Sequence, residues 1–288
     1  MFPRHSLLEL TYRCNYRCRF CFCADNVSAR ELSVDEWIRI VREMRRYGGA
    51  REITLSGGEP LLYSELGLLL KGLKDEGVAF RNVFTNGSLL DAEKIELLSK
   101  YATGVHLSLS GRSRYTELTG SKCGYESILN KLDSCVQKGL FVVVSSVLTS
   151  ENFEEMDALA DDCFRAGASG IQFGYVMCEG AVKQNLGLLL NWRQKVDIHR
   201  RLEALRKRFP QKCIMFSSEV KCRCRNRVSR FVSRLCGYRC IMGRQIVVVS
   251  PDGYLRPCVH ESNRRPIAMF SEEQRNMFFM AMSGGNLW

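Results

Sequence analysis

The chain has 288 residues, of which 45% are hydrophobic, and a formal net charge of +11. This length and apolar content suffice to bury a sizeable core, which excludes a wholly disordered protein and fits one large domain or a core with a small appendage. The chain contains no run of about 18 apolar residues, and its first six residues are too few and too polar for a signal peptide. We therefore expect a soluble, cytoplasmic protein that does not contact membranes.

The positive charge is concentrated in residues 191–234. This segment holds fourteen Lys or Arg against three acidic residues, an excess as large as the net charge of the whole chain. Such an excess favours an acidic partner, although a solvated helical face has the same pattern. Arg223, Arg225 and Arg227 stand at alternate positions, so an extended backbone would present them along one face. Aromatic residues are sparse here, which ranks a peptide or a phosphorylated small molecule above a nucleic acid.

Short apolar runs alternate with amphipathic stretches from residue 6 to residue 175. The runs predict six strands, at residues 6–11, 52–56, 79–84, 104–109, 140–147 and 170–175. The stretches between them predict helices at residues 33–47, 64–76, 91–101, 125–138 and 153–166. Ser33 and Glu36 form a predicted capping box. Glycines stand where the helices would end, at Gly48, Gly77, Gly139 and Gly167.

This alternation predicts an α/β fold, a partial (β/α)6 barrel with its ligand site at the carboxyl ends of the strands. Six units fall short of the eight that close a full barrel. After residue 180 we expect the alternation to stop, and residues 246–257 predict a hairpin around a Pro-Asp-Gly turn. We therefore predict three parts: a partial barrel at residues 1–181, a basic helical connecting segment at 182–234, and a small β-hairpin and helix module at 235–288.

Fourteen cysteines in a chain without an export signal indicate metal ligation or catalysis rather than disulfides. Directly after the first predicted strand, Cys14, Cys18 and Cys21 follow the pattern C-x3-C-x2-C. Thiolates are the usual ligands of iron-sulfur clusters, and a four-iron cluster on three cysteines leaves one iron open to a small molecule. Zinc is the alternative, but zinc sites usually present paired C-x2-C groups. Cys23 does not fit the pattern, and we interpret it as a packing residue.

This triplet, its place after the first strand and the aromatic Phe20 before its last cysteine resemble the radical S-adenosylmethionine (SAM) superfamily. The resemblance implies a partial TIM-like barrel and a [4Fe-4S] cluster on the three cysteines, with SAM bound to the open iron. It further implies reductive cleavage of SAM to a 5'-deoxyadenosyl radical, with a reductant such as flavodoxin or ferredoxin.

Later motifs extend the resemblance over residues 6–181. The stretch Gly57-Gly58-Glu59-Pro60 follows the second strand and matches the family's GGEP motif. Glycines permit close approach to a ligand, and the Glu59 carboxylate is expected near the SAM amino group. Each of these motifs taken alone is also compatible with an ordinary turn or strand end.

Polar residues end the next two strands. Asn86 belongs to a Thr-Asn-Gly sequence familiar from the family. Ser108 and Ser110 stand where relatives often have the sequence Ser-x-Asp-Gly near the ribose. Because Ser110 replaces the aspartate, the resemblance supports a SAM-binding role for Ser108 more strongly than for Ser110. The resemblance thus implies a set of SAM-binding residues: Phe20, Gly57, Gly58, Glu59, Pro60, Asn86, Ser108 and Ser110.

A second group of cysteines, Cys236, Cys240 and Cys258, resembles the opening of a SPASM or twitch domain, which carries an auxiliary iron-sulfur cluster in relatives. No cysteine follows Cys258 in this sequence, so we expect less than the full SPASM set. Two arrangements fit: three ligands with one open iron, or a fourth ligand from elsewhere. The candidates for that ligand are Cys213, Cys222 and Cys224. Zinc or free thiols remain the alternative.

The leading hypothesis is a peptide-modifying radical SAM enzyme that removes a hydrogen atom from a ribosomally made peptide. A phosphorylated small molecule or cofactor precursor is the alternative substrate, and a non-catalytic metal-binding RNA or scaffold protein is a third hypothesis. The short stretch before the first strand predicts that no separate N-terminal peptide-binding domain is present. No catalytic acid, base or hydrogen donor can be assigned. Cys178 and Glu179 lie near the expected mouth of the barrel, where a thiol could return a hydrogen atom to a radical, but packing or a surface position is the favoured interpretation of each.

Overall fold

The computed structural model describes residues 3–26, 28, 30–217, 245–256, 258–259 and 268–269. Several residues singled out above lie outside this range: Cys222, Cys224, Cys236, Cys240, Arg223, Arg225 and Arg227. Among the described residues, no helix combines the length and the apolar character needed to cross a membrane.

The described residues form one sheet of ten strands. In chain order the strands are His5–Thr11 (β1), Glu52–Gly57 (β2), Phe80–Thr85 (β3), Gly104–Ser108 (β4), Phe141–Leu148 (β5), Gly170–Tyr175 (β6), Cys213–Ser217 (β7), Ile246–Val249 (β8), Tyr254–Arg256 (β9) and Ala268–Met269 (β10). Their spatial order is β10-β9-β8-β1-β2-β3-β4-β5-β6-β7. From β8 to β7 all neighbours are parallel, whereas β9 and β10 pair antiparallel. Within the described residues the sheet is open.

Helices connect successive strands. They are Val34–Arg46 (α1), Leu66–Asp75 (α2), Ala92–Tyr101 (α3), Tyr115–Thr119 (α4), Tyr125–Gln137 (α5), Met156–Arg165 (α6) and Trp192–Arg208 (α7). The predicted capping box is confirmed, since the Ser33 hydroxyl accepts from the Glu36 N–H and the Glu36 carboxylate accepts from the Ser33 N–H. The four predicted helix-stop glycines all have positive φ, which a residue without Cβ adopts at little cost.

The prediction of a partial barrel of parallel strands is confirmed for β1 to β6, with each boundary within one residue of the expected one. The expectation that the alternation stops after residue 180 is wrong. Helix α7 comes next, and β7 then pairs parallel with β6. The basic composition of this region hid the strand, because β7 has only five residues and lies close behind the strongly charged helix α7.

The predicted hairpin is present as β8 and β9. Strand β8 also pairs parallel with β1, so the hairpin extends the main sheet instead of standing apart from it. The first strand is therefore internal to the sheet. Its Leu8 and Leu10 are fully buried, as is Trp37 of α1, in one continuous apolar core. Each such side chain contributes about 1.5–3 kcal/mol of burial free energy.

Parallel strands end at one common edge. The loops that follow β1, β2, β3, β4 and β6 all open at this carboxyl edge, and they carry the residues that the sequence analysis singled out. The register places them side by side, because Thr11 pairs with Gly57 and Thr85 with Leu107. The fold thus assembles one candidate site from segments far apart in sequence.

Candidate active site

The loop after β1, residues 12–26, carries the cysteine triplet and is held against the loop after β2. The Gly58 N–H donates to the Thr11 carbonyl at 2.7 Å, and the Glu59 N–H donates to the Arg13 carbonyl at 2.9 Å. A Cβ on Gly57 would lie 2.2 Å from the Thr11 oxygen, and one on Gly58 would lie 2.3 Å from the Arg13 oxygen. The two glycines therefore permit the close approach of the cysteine loop itself.

A second set of contacts fixes the other side of the cysteine loop on α4. The Tyr16 and Tyr115 hydroxyls are 3.1 Å apart in a buried hydrogen bond. The Arg19 N–H donates to the Leu118 carbonyl at 2.8 Å, and the Arg19 guanidinium forms a two-pronged ion pair with Glu151 at 3.0 and 3.1 Å. The loop is thus positioned by α4 and by the segment after β5.

The segment after β6 closes the third side. The Ala181 N–H donates to the Cys21 carbonyl at 2.9 Å, and Gly180 has φ of 52°. A Cβ on Gly180 would lie 2.2 Å from the Cys21 oxygen. This stretch therefore contacts the backbone of the cysteine loop directly. Beside it, Cys178 is exposed and Glu179 is buried, and their surroundings assign neither a catalytic role.

The three thiols of the triplet lie near one another, partly buried. Burial raises the pKa of the Cys18 thiol strongly, and negative charge on Cys21 and Cys14 would raise it further. Burial also raises the pKa of Cys14, although the Tyr16 N–H donates to its sulfur at 3.4 Å and favours the thiolate. Thiols this close would repel one another as free thiolates, and a cation between them removes that cost.

Cys23, interpreted from the sequence as a packing residue, contacts the triplet. Its sulfur lies 3.4 Å from the Cys21 sulfur and 3.8 Å from the Gly57 carbonyl oxygen. The hydrogen bond between the two thiols lowers the pKa of Cys21 to about 7 and raises that of Cys23 well above its ordinary value. Cys21 is therefore the member of this pair that is readier to be a thiolate.

Glu59 is fully buried behind the loop. Its carboxylate accepts hydrogen bonds from the Thr85 hydroxyl at 2.6 Å, the Asn86 N–H at 2.8 Å and the Leu61 N–H at 3.1 Å. Burial raises the pKa of Glu59 despite these donors. The side chain thus ties the end of β2 to the end of β3.

Asn86 connects the β3 end to the cysteine loop. Its amide donates to the Asn15 side-chain oxygen at 2.9 Å, and the Asn15 amide donates to the Ser88 hydroxyl at 2.7 Å. Ser88 in turn donates to the Asn86 oxygen at 2.6 Å. Asn15 stands directly after Cys14 and was missed by the sequence analysis, because only the fold brings it beside Asn86.

The remaining predicted site residues occupy different surroundings. Ser108 ends β4 and is partly buried, whereas the buried Ser110 hydroxyl accepts from the Val147 N–H at 2.9 Å and so completes the backbone of β5. Pro60 opens the short 3-10 helix Pro60–Leu62, and Phe20 is partly exposed within the cysteine loop.

In the second cysteine group, Cys258 is buried, two residues after β9. The exposed Cys213 opens β7, at the amino edge of the strands and away from the cysteine loop.

Four cysteine thiols lie on the loop after β1 at the carboxyl edge, those of Cys14, Cys18, Cys21 and Cys23. Within the described part of the chain, no group of three or more His, Cys, Asp or Glu side chains is arranged to hold one metal ion. The three cysteine ligands of a four-iron cluster bind three different irons and stand farther apart than the ligands of a single ion. Three neighbouring thiols on a fixed loop therefore fit such a cluster by donor type.

Comparison with known families identifies the family to which this cysteine loop and its sheet belong. A family model described as the radical SAM superfamily matches residues 8–163, which run from within β1, through the cysteine loop and β2 to β5, into α6. The chain belongs to the radical SAM superfamily. Membership implies a [4Fe-4S] cluster and SAM as cofactors.

Two curated proteins illustrate the relation within the radical SAM superfamily. The sporulation killing factor maturation protein SkfB of Bacillus subtilis is 26% identical over 266 residues, which cover 89% of this chain and 60% of SkfB. A probable GTP 3',8-cyclase of Methanocella arvoryzae is 33% identical over 159 residues, which cover 54% of this chain and 51% of that protein. The chain thus spans about half to three fifths of the length of these relatives.

A protein of known structure has a similar fold. The crystal structure of Streptococcus suis SuiB bound to its precursor peptide SuiA superposes with a TM-score of 0.76 at 17% identity, over 99% of this chain and 66% of SuiB. SuiB bound to S-adenosylmethionine gives a TM-score of 0.75 at 18% identity, over 97% of this chain and 65% of that one. The likeness establishes the fold.

Proposed function

We propose that this chain is a radical SAM enzyme that cleaves SAM reductively to a 5'-deoxyadenosyl radical and removes a hydrogen atom from a ribosomally made peptide. The observation that carries the proposal is the position of the cysteine triplet. Cys14, Cys18 and Cys21 lie together at the carboxyl edge, on a loop that three neighbouring segments hold in place.

Cys14, Cys18 and Cys21 would hold the cluster. Bound there, a [4Fe-4S] cluster supplies an open iron for SAM and the electron that breaks its sulfonium carbon-sulfur bond. The chain's own residues prepare this site. The Tyr16 N–H donates to the Cys14 sulfur and favours the thiolate, while the segment after β6 fixes the Cys21 backbone.

The SAM-binding residues implied by the resemblance divide into three groups by their positions and contacts. Glu59 and Ser110 use their side chains within the protein, so we propose that they position the β3 and β4 loops. Asn86 is fixed through its N–H by Glu59, and we propose that its loop, with Ser108, faces SAM. We propose that the remaining members of the set shape the SAM site from the side of the cysteine loop, which Gly57 and Gly58 contact through their backbones: Phe20, Gly57, Gly58 and Pro60.

A peptide substrate is favoured by the relatives. SkfB is a maturation protein of the sporulation killing factor, and SuiB binds its precursor peptide. We propose a peptide substrate here on that basis. We also propose an auxiliary iron-sulfur cluster on Cys236, Cys240 and Cys258 in a C-terminal module, and a flavodoxin or ferredoxin as the electron donor. The buried position of Cys258 is compatible with a ligand role.

The test uses transfer of a label. The anaerobically reconstituted full chain is incubated with SAM, a reductant and a peptide that carries deuterium on carbon, made from a short reading frame adjacent to its gene. Because the hydrogen atom moves from a substrate carbon to C5' of the radical, we expect deuterium in the 5'-deoxyadenosine product. A second reaction contains a deuterated nucleotide in place of the peptide. Deuterium that appears in 5'-deoxyadenosine only in this second reaction would overturn the peptide proposal in favour of a phosphorylated small molecule. Failure to form any deoxyadenosine would overturn the enzyme proposal.

A further inference from the structure

Cys23 is fixed beside the cysteine triplet without belonging to its spacing. The Asn26 N–H donates to the Cys23 carbonyl at 3.0 Å and closes a turn that holds this residue in place. Its sulfur lies 3.4 Å from the Cys21 sulfur, a contact in which either thiol can donate, and it lies 3.8 Å from the Gly57 carbonyl oxygen, which only accepts. The contact is therefore a specific arrangement of two thiols and one carbonyl.

A thiol carries a single hydrogen, so only one of these acceptors receives it at a time. Cys21 as an iron ligand is a thiolate, and hydrogen bonds to a charged acceptor are shorter and stronger than those to a neutral carbonyl. A Cys21 sulfur that binds iron carries no hydrogen, so Cys23 is then the donor of this contact, which is the shorter of the two. Gly57 packs tightly against the Thr11 backbone, which fixes the position of its carbonyl group. This carbonyl oxygen is the neutral acceptor that competes with the Cys21 sulfur for the Cys23 hydrogen.

We propose that the Cys23 thiol donates a hydrogen bond to the Cys21 sulfur and thereby raises the reduction potential of the cluster that Cys21 holds. The inference rests on the proposed function, in which Cys21 is a ligand. A reduced cluster carries one more negative charge than the oxidised cluster, so a donor to a ligand sulfur stabilises the reduced form more. Cys23 acts through Cys21 and is itself no ligand.

The experiment compares Cys23→Ala and Cys23→Ser with the wild-type full chain after anaerobic reconstitution. Iron content is measured first, and the protein is then titrated with a reductant while electron paramagnetic resonance follows the reduced cluster signal that is absent from a variant with alanine at Cys14, Cys18 and Cys21. At the wild-type midpoint, we expect the ratio of reduced to oxidised cluster in Cys23→Ala to be about fivefold lower, the value of one ordinary hydrogen bond. Cys23→Ser keeps a donor and should fall between the two.

Cys135→Ala is the matched control, because Cys135 is buried in α5 and makes no contact with the triplet. Its ratio should equal that of the wild type. The inference is overturned if Cys23→Ala and Cys23→Ser both keep full iron content and the wild-type ratio. It is also overturned if Cys23→Ala loses iron, since Cys23 would then be a ligand. A wild-type chain that holds a reducible cluster but does not cleave SAM would contradict the proposed function alone.

Discussion

A side chain at Gly58 would begin 2.3 Å from the Arg13 carbonyl oxygen, so these two residues fix how closely the cysteine loop approaches the loop after β2. The contact is between backbones, and neither side can yield by changing a rotamer. The GGEP motif therefore helps to position the three thiols, and this role is separate from any contact of the motif with SAM.

We expect Gly58→Ala to destabilise the chain by about 1–3 kcal/mol, because the new methyl group must displace the cysteine loop. Urea unfolding gives the loss of stability, and iron content after reconstitution reports on the loop. Gly187→Ala is the control, since nothing lies within 4 Å of its Cβ position. Equal stabilities and iron contents in the two variants would contradict the role given to Gly58.

Glu59→Gln should cost about 1–3 kcal/mol of unfolding free energy. The carboxylate accepts from Thr85, Asn86 and Leu61, and an amide would turn an N–H group toward at least one of these donors. Urea unfolding measures the effect. Glu96→Gln, at an exposed ion pair with Lys138, should change stability by less than about 0.5 kcal/mol. If Glu59→Gln lost as little stability as Glu96→Gln, the buried hydrogen bonds of Glu59 would contribute little to the stability of the chain.

The buried ion pair of Glu9 and Arg256 joins β1 to β9, and both side chains are 3% exposed. The Tyr12 hydroxyl donates to the same carboxylate at 2.8 Å, yet burial still raises the pKa of Glu9. We expect Arg256→Met to cost about 3–5 kcal/mol, because it leaves a buried carboxylate without its cation.

The double variant Glu9→Leu with Arg256→Met should recover most of that loss in the same urea unfolding measurement, since it removes both charges. Lys71→Ala, at the exposed pair with Asp75, is the control and should change stability by less than about 1 kcal/mol. If Arg256→Met behaves like the control, the pair does not hold the hairpin on the sheet.

His106 on β4 should make the chain less stable in mild acid. Burial, aided by the neighbouring His5, lowers the pKa of His106 below its ordinary value of 6.5. The unfolded chain then binds a proton more readily than the folded chain, so the stabilisation present above pH 6.5 is lost as the pH falls through the lowered pKa.

His106→Phe keeps a ring stacked on Phe84, where the two centroids are now 5.8 Å apart, but cannot titrate. We expect this variant to lose less stability than the wild type between about pH 7.5 and about pH 5.5 in urea unfolding experiments. An equal loss in both proteins would exclude His106 as a source of the acid sensitivity.

The local parts of the fold could be predicted from the sequence, because periodicity and capping are local signals. The boundaries of β1 to β6 and the Ser33 cap depend on neighbouring residues. The pairing of β8 with β1 could not be predicted, since it joins residues about 240 positions apart and no local pattern encodes it. Strand β7 was missed because it is short and lies close behind a strongly charged helix.

The candidate site divides in the same way. The cysteine spacing is readable because the chemistry requires it at fixed intervals. The direction in which a side chain points cannot be predicted from the sequence. Glu59 and Ser110 were expected to bind SAM, yet both side chains form hydrogen bonds with other residues of the chain. Asn15 and the contact between Cys21 and Cys23 emerge only when the loops after β1, β2 and β3 are placed together.

The most direct test of the account measures 5'-deoxyadenosine formed from SAM by the anaerobically reconstituted chain with a reductant. Wild-type protein and Cys135→Ala should both produce it. Replacement of Cys14, Cys18 and Cys21 by alanine should abolish the product and the iron-sulfur absorbance of the SAM-binding cluster, leaving only the absorbance of the proposed auxiliary cluster. A triple variant that cleaves SAM as fast as the wild type would contradict the assignment of these three cysteines.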